Sequence, residues 1–364
     1  MRIIPIECIP NDSCLGKTIY DSDGRVLLKS GTKLTSIIIR KVKQLGIYSL
    51  YIEDEFSSNV LEDVIKPELR QKAVSALKET FNNISRFKSS LKASVGTDEF
   101  KYLASIHSIA KQNLDNLLNS DKILVSLIDI KNLDSYTYQH SVNVAVLSLT
   151  LGIGLKLPQK DLLDLCIGAL LHDIGKVFIP LEILNKPGKL SNEEFSLIKK
   201  HTEKGYDYLY KYYDLHTASK LIVLQHHEAI NGLGYPEGIK GDKISSLAKI
   251  VSIVDVYDAL TSDRPYRRAL CANDALEYIM ANSGTKFDYD LVKMFTKLVI
   301  PFPPGTLVRL SNGDLAITED TPVNFPLRPN LKILESSNPE LKGKKFKLVD
   351  NFSVVINSIE YNLN

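Results

Sequence analysis

Two segments constrain this chain more than any other feature. One reads Leu170-Leu171-His172-Asp173-Ile174-Gly175-Lys176, the other His226-His227-Glu228-Ala229-Ile230-Asn231-Gly232-Leu233-Gly234-Tyr235-Pro236-Glu237-Gly238. In the first, a His-Asp pair ends an apolar helical run and Gly-Lys follows. Burying imidazole and carboxylate is costly unless they find partners, and a cation is the most economical partner for both. With His140, His201 and Asp255 these residues supply a full two-metal ligand set. Any fold the chain adopts must bring those separated segments to one point. The pattern points to a metal-dependent phosphoesterase.

At 364 residues the chain exceeds one average domain. Its net charge of +2 gives no basis for binding a DNA or RNA duplex. Cys8, Cys14, Cys166 and Cys271 form no CxxC pair, which fits a reduced, cytoplasmic setting. The longest mostly apolar run, Val144 to Leu155, is too short to cross a membrane, and the N-terminus lacks a basic-then-apolar signal. No membrane insertion is expected.

The expected fold class is mainly α, in four parts. Residues 1–60 read as a small α/β module with a possible regulatory or contact role. It has strands around an Asp23-Gly24 turn, a helix over Thr35 to Leu45 ended by Gly46, and a last strand at Ser49 to Ile52. Residues 61–120 read as a helical connector broken at Ser94 to Glu99, with Leu69, Ala73, Val74, Leu77 and Phe81 on one face. Residues 121–300 continue as an all-helical core. Helices are expected at Leu162 to Leu171, Leu221 to Glu228 and Ser246 to Thr261, and Ser191-Asn192-Glu193-Glu194 is a capping box. Residues 301–364 read as a small β-rich appendage. It has a hairpin over Thr306 to Thr318, prolines in a loop, and strands at Phe346 to Val349 and Val354 to Ile359. The connector helices could supply a homodimer surface; no upstream signalling partner can be read.

Imidazole and carboxylate without thiolate suit Fe, Mn or Zn. His140, His172, Asp173, His201, His226, His227 and Asp255 exceed the needs of one tetrahedral ion and fit two ions sharing a carboxylate, for which Asp173 is the natural bridge. Adjacent His226 and His227 diverge by roughly 100° on a helix, so both can serve one ion only if the helix ends there or points at it. Two metals about 3.5–4 Å apart can hold a bridging hydroxide as nucleophile and neutralise phosphoryl charge. Lys176 could meet the phosphate or leaving oxygen. Arg264 and Arg267 could clamp further phosphate oxygens. Gly234 permits close backbone approach, and Tyr235 could pack against a base.

Each residue also has a plain structural reading. A buried histidine is more often core than ligand, and Arg264 to Arg268 could be a solvated helix end. Clustering outweighs these readings: five of the seven histidines belong to the pattern, and His107 and His216 lie outside it.

At these residues the sequence resembles the HD-GYP family of the HD phosphohydrolase superfamily. The matching stretches are Tyr136 to Ala145, the HDIGK segment, His201, His226 to Gly238, and Asp255 to Arg267. The resemblance implies an HD-type helical core and a non-haem di-iron or di-manganese site. It implies hydrolysis of cyclic di-GMP to linear pGpG. His140, His172, Asp173 and Asp255 would hold one ion; Asp173, His201, His226 and His227 would hold the other. Lys176 would sit by the scissile phosphate, Arg264 and Arg267 on phosphate oxygens, and Gly234, Tyr235 and Pro236 in the loop that names the family. Some members hold a third ion with a Glu four residues before the first ligand His. That position is Tyr136 here, so two ions are expected and not three. Another cyclic dinucleotide such as cyclic GMP-AMP, or binding without cleavage, stays open as an alternative.

Overall fold

The computed structural model describes residues 1–21, 25–54, 65–89, 97–119, 136–211, 215–262, 269–322 and 324–361, with the backbone alone for residues 3, 87–89, 97–101 and 136. At the N-terminus, β1 (Arg2–Pro5), β2 (Ser13–Leu15), β5 (Lys33–Leu34) and β6 (Ser49–Glu53) form one sheet in the order β1-β6-β2-β5. β3 (Ile19–Tyr20) and β4 (Val26–Leu28) pair separately; the turn expected between them lies outside the described residues. The Thr35 hydroxyl caps α1 (Ser36–Gln44), and Gly46 leaves the helix with φ 75°, as an L side chain would not readily do. Ile4, Leu15, Leu34, Leu50 and Ile52 give this module its own core.

The middle of the chain is helical: α2 (Pro67–Ser89), α3 (Thr97–Leu118), α4 (Tyr136–Gly154), α5 (Gln159–Leu171), α6 (Leu181–Leu184), α7 (Asn192–Lys199), α8 (His201–Tyr210), α9 (Thr217–Gln225), α10 (Ser246–Leu260), α11 (Ala272–Ala281) and α12 (Tyr289–Leu298). α3 starts within the stretch expected as a break. Val142, Val144, Ala145, Val146 and Leu147 are all buried, as are the polar His140, Asn143 and Ser148, so α4 is buried around its circumference and runs through the centre. α5 and α10 are buried in the same way. α4 packs on α5 and α10, and α9 packs on α5, α8 and α10. Ala73, Val74, Leu77 and Phe81 of α2 join this core.

A five-stranded antiparallel sheet closes the chain. Its order is β10 (Lys345–Lys347), β9 (Asn330–Glu335), β8 (Leu315–Asp320), β7 (Leu307–Leu310) and β11 (Ile356–Glu360). The expected hairpin is β7–β8, with Gly313 at φ 89° in its turn. β9 was not expected. It follows the proline cluster directly, and Leu331 and Ile333 alone mark its buried face. β10 stops earlier than expected because Leu348–Asp350 form a 3-10 turn. Among the described residues no helix is long and apolar enough to cross a membrane.

Candidate metal centre

Helix ends deliver most of the site. α5 stops at Leu171, His172 sits at its C-cap, and Asp173 leads into a 3-10 helix over Ile174–Phe178. Gly175 lets that 3-10 helix lie against the start of α8: a Cβ there would fall 1.8 Å from the His201 carbonyl oxygen and 2.7 Å from the Gly205 nitrogen. This contact carries Asp173 to His201. The capping box at Ser191 starts α7 as expected, but a joint at Lys200 separates α7 from α8, and His201 opens the latter. α9 ends at Gln225, earlier than the expected Glu228. His226 is its C-cap and His227 lies beyond, so both rings face inward with centroids 4.1 Å apart. α4 supplies His140 and α10 supplies Asp255 from within their spans.

The seven residues come together. His140 Nε2 lies 3.0 Å from Asp255 Oδ1, and His172 Nε2 lies 3.9 Å from the same oxygen. His201 Nε2 lies 3.3 Å from His226 Nε2, and their rings adjoin His227. Asp173 stands between the two groups, with Oδ2 3.4 Å from His172 Nε2 and Oδ1 3.6 Å from His201 Nε2. His140, His172 and Asp255 form one group able to hold an ion; His201, His226 and His227 form another.

These donors fit metal ions. The Nδ1 atoms of His172, His201 and His226 face the carbonyl oxygens of Ala169, Ile198 and Val223 at 2.7, 2.7 and 3.0 Å. Carbonyls only accept, so each Nδ1 carries the proton and each Nε2 lone pair points into the cluster. The His172 Nε2 is buried with no hydrogen-bond partner. Two facing lone pairs on His201 and His226 repel unless a cation serves both. Burial pulls His201 down to about 4 and His227 down to about 3, against the pull of Asp173 and Asp255. Burial opposes ionisation of Asp173, yet Lys176 and His172 hold its carboxyl well below the usual carboxylate range. Neutral imidazole and ionised carboxylate are the states that bind metal. Burial would also lower His140, but hydrogen bonds to Asp255 and Asp258 outweigh it and push it up to about 9, so His140 must give up the proton that its Nε2 shares with Asp255 before it can bind an ion.

Lys176 Nζ donates to Asp173 Oδ2 at 2.6 Å. The Lys176 and His227 side chains are 33% and 25% exposed, which marks the mouth of an otherwise buried cluster. Tyr235 stands there too, its ring 4.7 Å from that of His227 at 33°. Its loop is folded tightly: a Cβ on Gly234 would fall 2.3 Å from the Ala229 nitrogen. Pro236 follows, half-buried. Arg264 and Arg267, and the side chain of Tyr136, lie outside the described residues.

Two residues were missed as site residues. Buried Asp258 accepts from His140 Nδ1 at 2.7 Å, orienting a ligand ring in the manner of carboxylate–histidine–metal triads. Its signal was the three-residue spacing from Asp255, which puts both on one helix face. Glu228 Oε1 accepts from the backbone nitrogens of Glu237 and Gly238 at 2.8 and 3.1 Å and so pins the Tyr235 loop.

An all-helical core gathers these His and Asp side chains, most of them at helix ends. Residues 122–291 match the family model described as HD domain. That match covers just under half of the chain, and the HDIGK and Gly-Tyr-Pro segments lie within it. It is 39% identical over 229 residues to a cyclic di-GMP phosphodiesterase of Pseudomonas aeruginosa, covering 62% of this chain and 54% of the relative. It is 37% identical over 162 residues to a 3'3'-cGAMP-specific phosphodiesterase of Vibrio cholerae, covering 44% and 35%. The chain thus spans about half the length of the first relative and about a third of the second. A solved HDG"Y"P protein from Bdellovibrio bacteriovorus aligns at TM-score 0.48 and 18% identity, over 81% of this chain and 97% of that one.

Proposed function

We propose that the chain is a metal-dependent phosphodiesterase that hydrolyses cyclic di-GMP to linear pGpG. The observation that carries this reading is the largely buried set of donors, two three-residue groups joined by Asp173, which itself groups with His172 and His226. His140, His172 and Asp255 would hold one divalent ion and His201, His226 and His227 the other, with Asp173 shared. The donor set suits Fe or Mn. Tyr136 in place of a carboxylate argues for two ions and not three. Such ions would supply activation of water and neutralisation of phosphoryl charge.

The chain's own groups bind and orient. Lys176, at the mouth and held by Asp173, is placed to meet a phosphate oxygen or the leaving oxygen. Tyr235 offers a ring beside His227 for a base or ribose, with Gly234 and Pro236 shaping its loop. Arg264 and Arg267 are assigned to the remaining phosphate oxygens. Water adds to one ring phosphorus, the P–O3′ bond breaks, and the 3′ oxygen leaves with a proton, giving pGpG. A cytoplasmic setting fits the free cysteines Cys8, Cys14, Cys166 and Cys271.

The similarity to a relative named for 3'3'-cGAMP supports that dinucleotide as the second reading. Incubation of anaerobically purified, Mn²⁺-loaded protein with each dinucleotide, followed by chromatography, separates the two. The expected result is pGpG from cyclic di-GMP. Linearisation of 3'3'-cGAMP alone would favour the second reading, and two intact cyclic dinucleotides would contradict both.

A further inference from the structure

We infer that Arg70, on α2, is a positioning residue of the metal centre, acting through Asn143 and Asp258 on His140. The contacts form an unbroken line. Arg70 Nη1 donates to Asn143 Oδ1. Asn143 Nδ2 donates to Asp258 Oδ1 at 3.1 Å. Asp258 Oδ2 accepts from His140 Nδ1 at 2.7 Å. Asn143, Asp258 and His140 are 1%, 2% and 3% exposed, so the bonds among these three are shielded from bulk water, while Arg70 is half-buried.

The chemistry of each member fixes the direction of the next. A guanidinium can only donate, so it holds the oxygen end of the Asn143 amide toward α2. The amide nitrogen must then face Asp258. With Arg70 removed, the amide is free to turn its oxygen toward the carboxylate, where two acceptors would oppose each other. Asp258 would then swing away or lose a donor, and with it the orientation and basicity of His140 change. α2 is also seated on α4 beside that ligand: Phe81 packs edge-on against Tyr138, ring centroids 5.6 Å apart. α2 is therefore part of the housing of one ion, and a displacement of α2 is read out at His140.

This inference rests on the metal-centre reading, and the test separates the two. Mn²⁺ alone is titrated calorimetrically into the full chain and into Arg70→Met, Arg70→Lys and Asn143→Ala, with the melting temperature of each metal-free protein measured alongside. The wild type is expected to bind two ions. Arg70→Met and Asn143→Ala should each weaken one site by about tenfold or more, within the range typical of residues that orient metal ligands, and leave the other unchanged. Arg70→Lys, which keeps a donor, should restore most of the affinity. Two sites unaltered in Arg70→Met would overturn the inference. So would equal weakening of both sites in step with a lower melting temperature, the signature of a merely structural contact. A wild type that binds no Mn²⁺ would overturn the metal-centre reading and this inference together.

Discussion

Lys176 donates from Nζ to Oδ2 of Asp173 across 2.6 Å, so the lysine at the mouth of the cluster is tethered to the carboxylate that stands between the two donor groups. A cation held in place before substrate arrives loses little on ordering at the reacting phosphate. On this account Lys176→Met retains both ions, because Lys176 supplies no metal ligand. It should lower kcat by about 10²–10³, the usual cost of removing one preorganised donor near developing charge. Metal analysis alongside steady-state kinetics checks this; an unchanged kcat would return Lys176 to the role of a partner for Asp173 alone.

Asp173→Asn tests the shared carboxylate. Its two oxygens lie 3.4 and 3.6 Å from nitrogens of different donor groups, so neutralising it should weaken both ions and abolish hydrolysis. Metal content measured after gel filtration is the readout. Loss of one ion only, with the other at full occupancy, would mean that Asp173 serves one site.

Gly175→Ala should damage the centre without replacing a ligand. The new Cβ would fall 1.8 Å from the His201 carbonyl oxygen, a backbone atom that cannot step aside as a flexible side chain could. Overpacking of this kind costs about 1–3 kcal/mol or more, and here it also pries Asp173 from His201. A lower melting temperature together with reduced metal content is expected. A variant that melts and binds metal like the wild type would show that the 3-10 helix and α8 separate freely.

The ligand set was legible because its members come as adjacent pairs beside apolar runs, where an unpaired His172-Asp173 or His226-His227 would be costly. The packing that assembles them was not. The Gly175–His201 contact joins segments that share no local pattern, and a glycine in HDIGK reads equally as a turn. The early end of α9 at Gln225 is set by tertiary context, since Leu221 to Glu228 continues a helical pattern. Asp258 was visible on the face of Asp255, but a helical carboxylate one turn from a ligand reads the same as a solvated acid until its partner His140 is in view. β9 was hidden because Leu331 and Ile333 alternate over too short a span behind three prolines. The connector helix carried its apolar stripe openly, yet nothing in that stripe distinguishes packing beside the core from packing within it.

Anomalous diffraction at the Mn edge from crystals soaked in Mn²⁺ tests the central claim most directly. Two full peaks are predicted, one bounded by His140, His172 and Asp255, the other by His201, His226 and His227, both within bonding reach of Asp173. A single peak, or peaks away from these residues, would contradict the account.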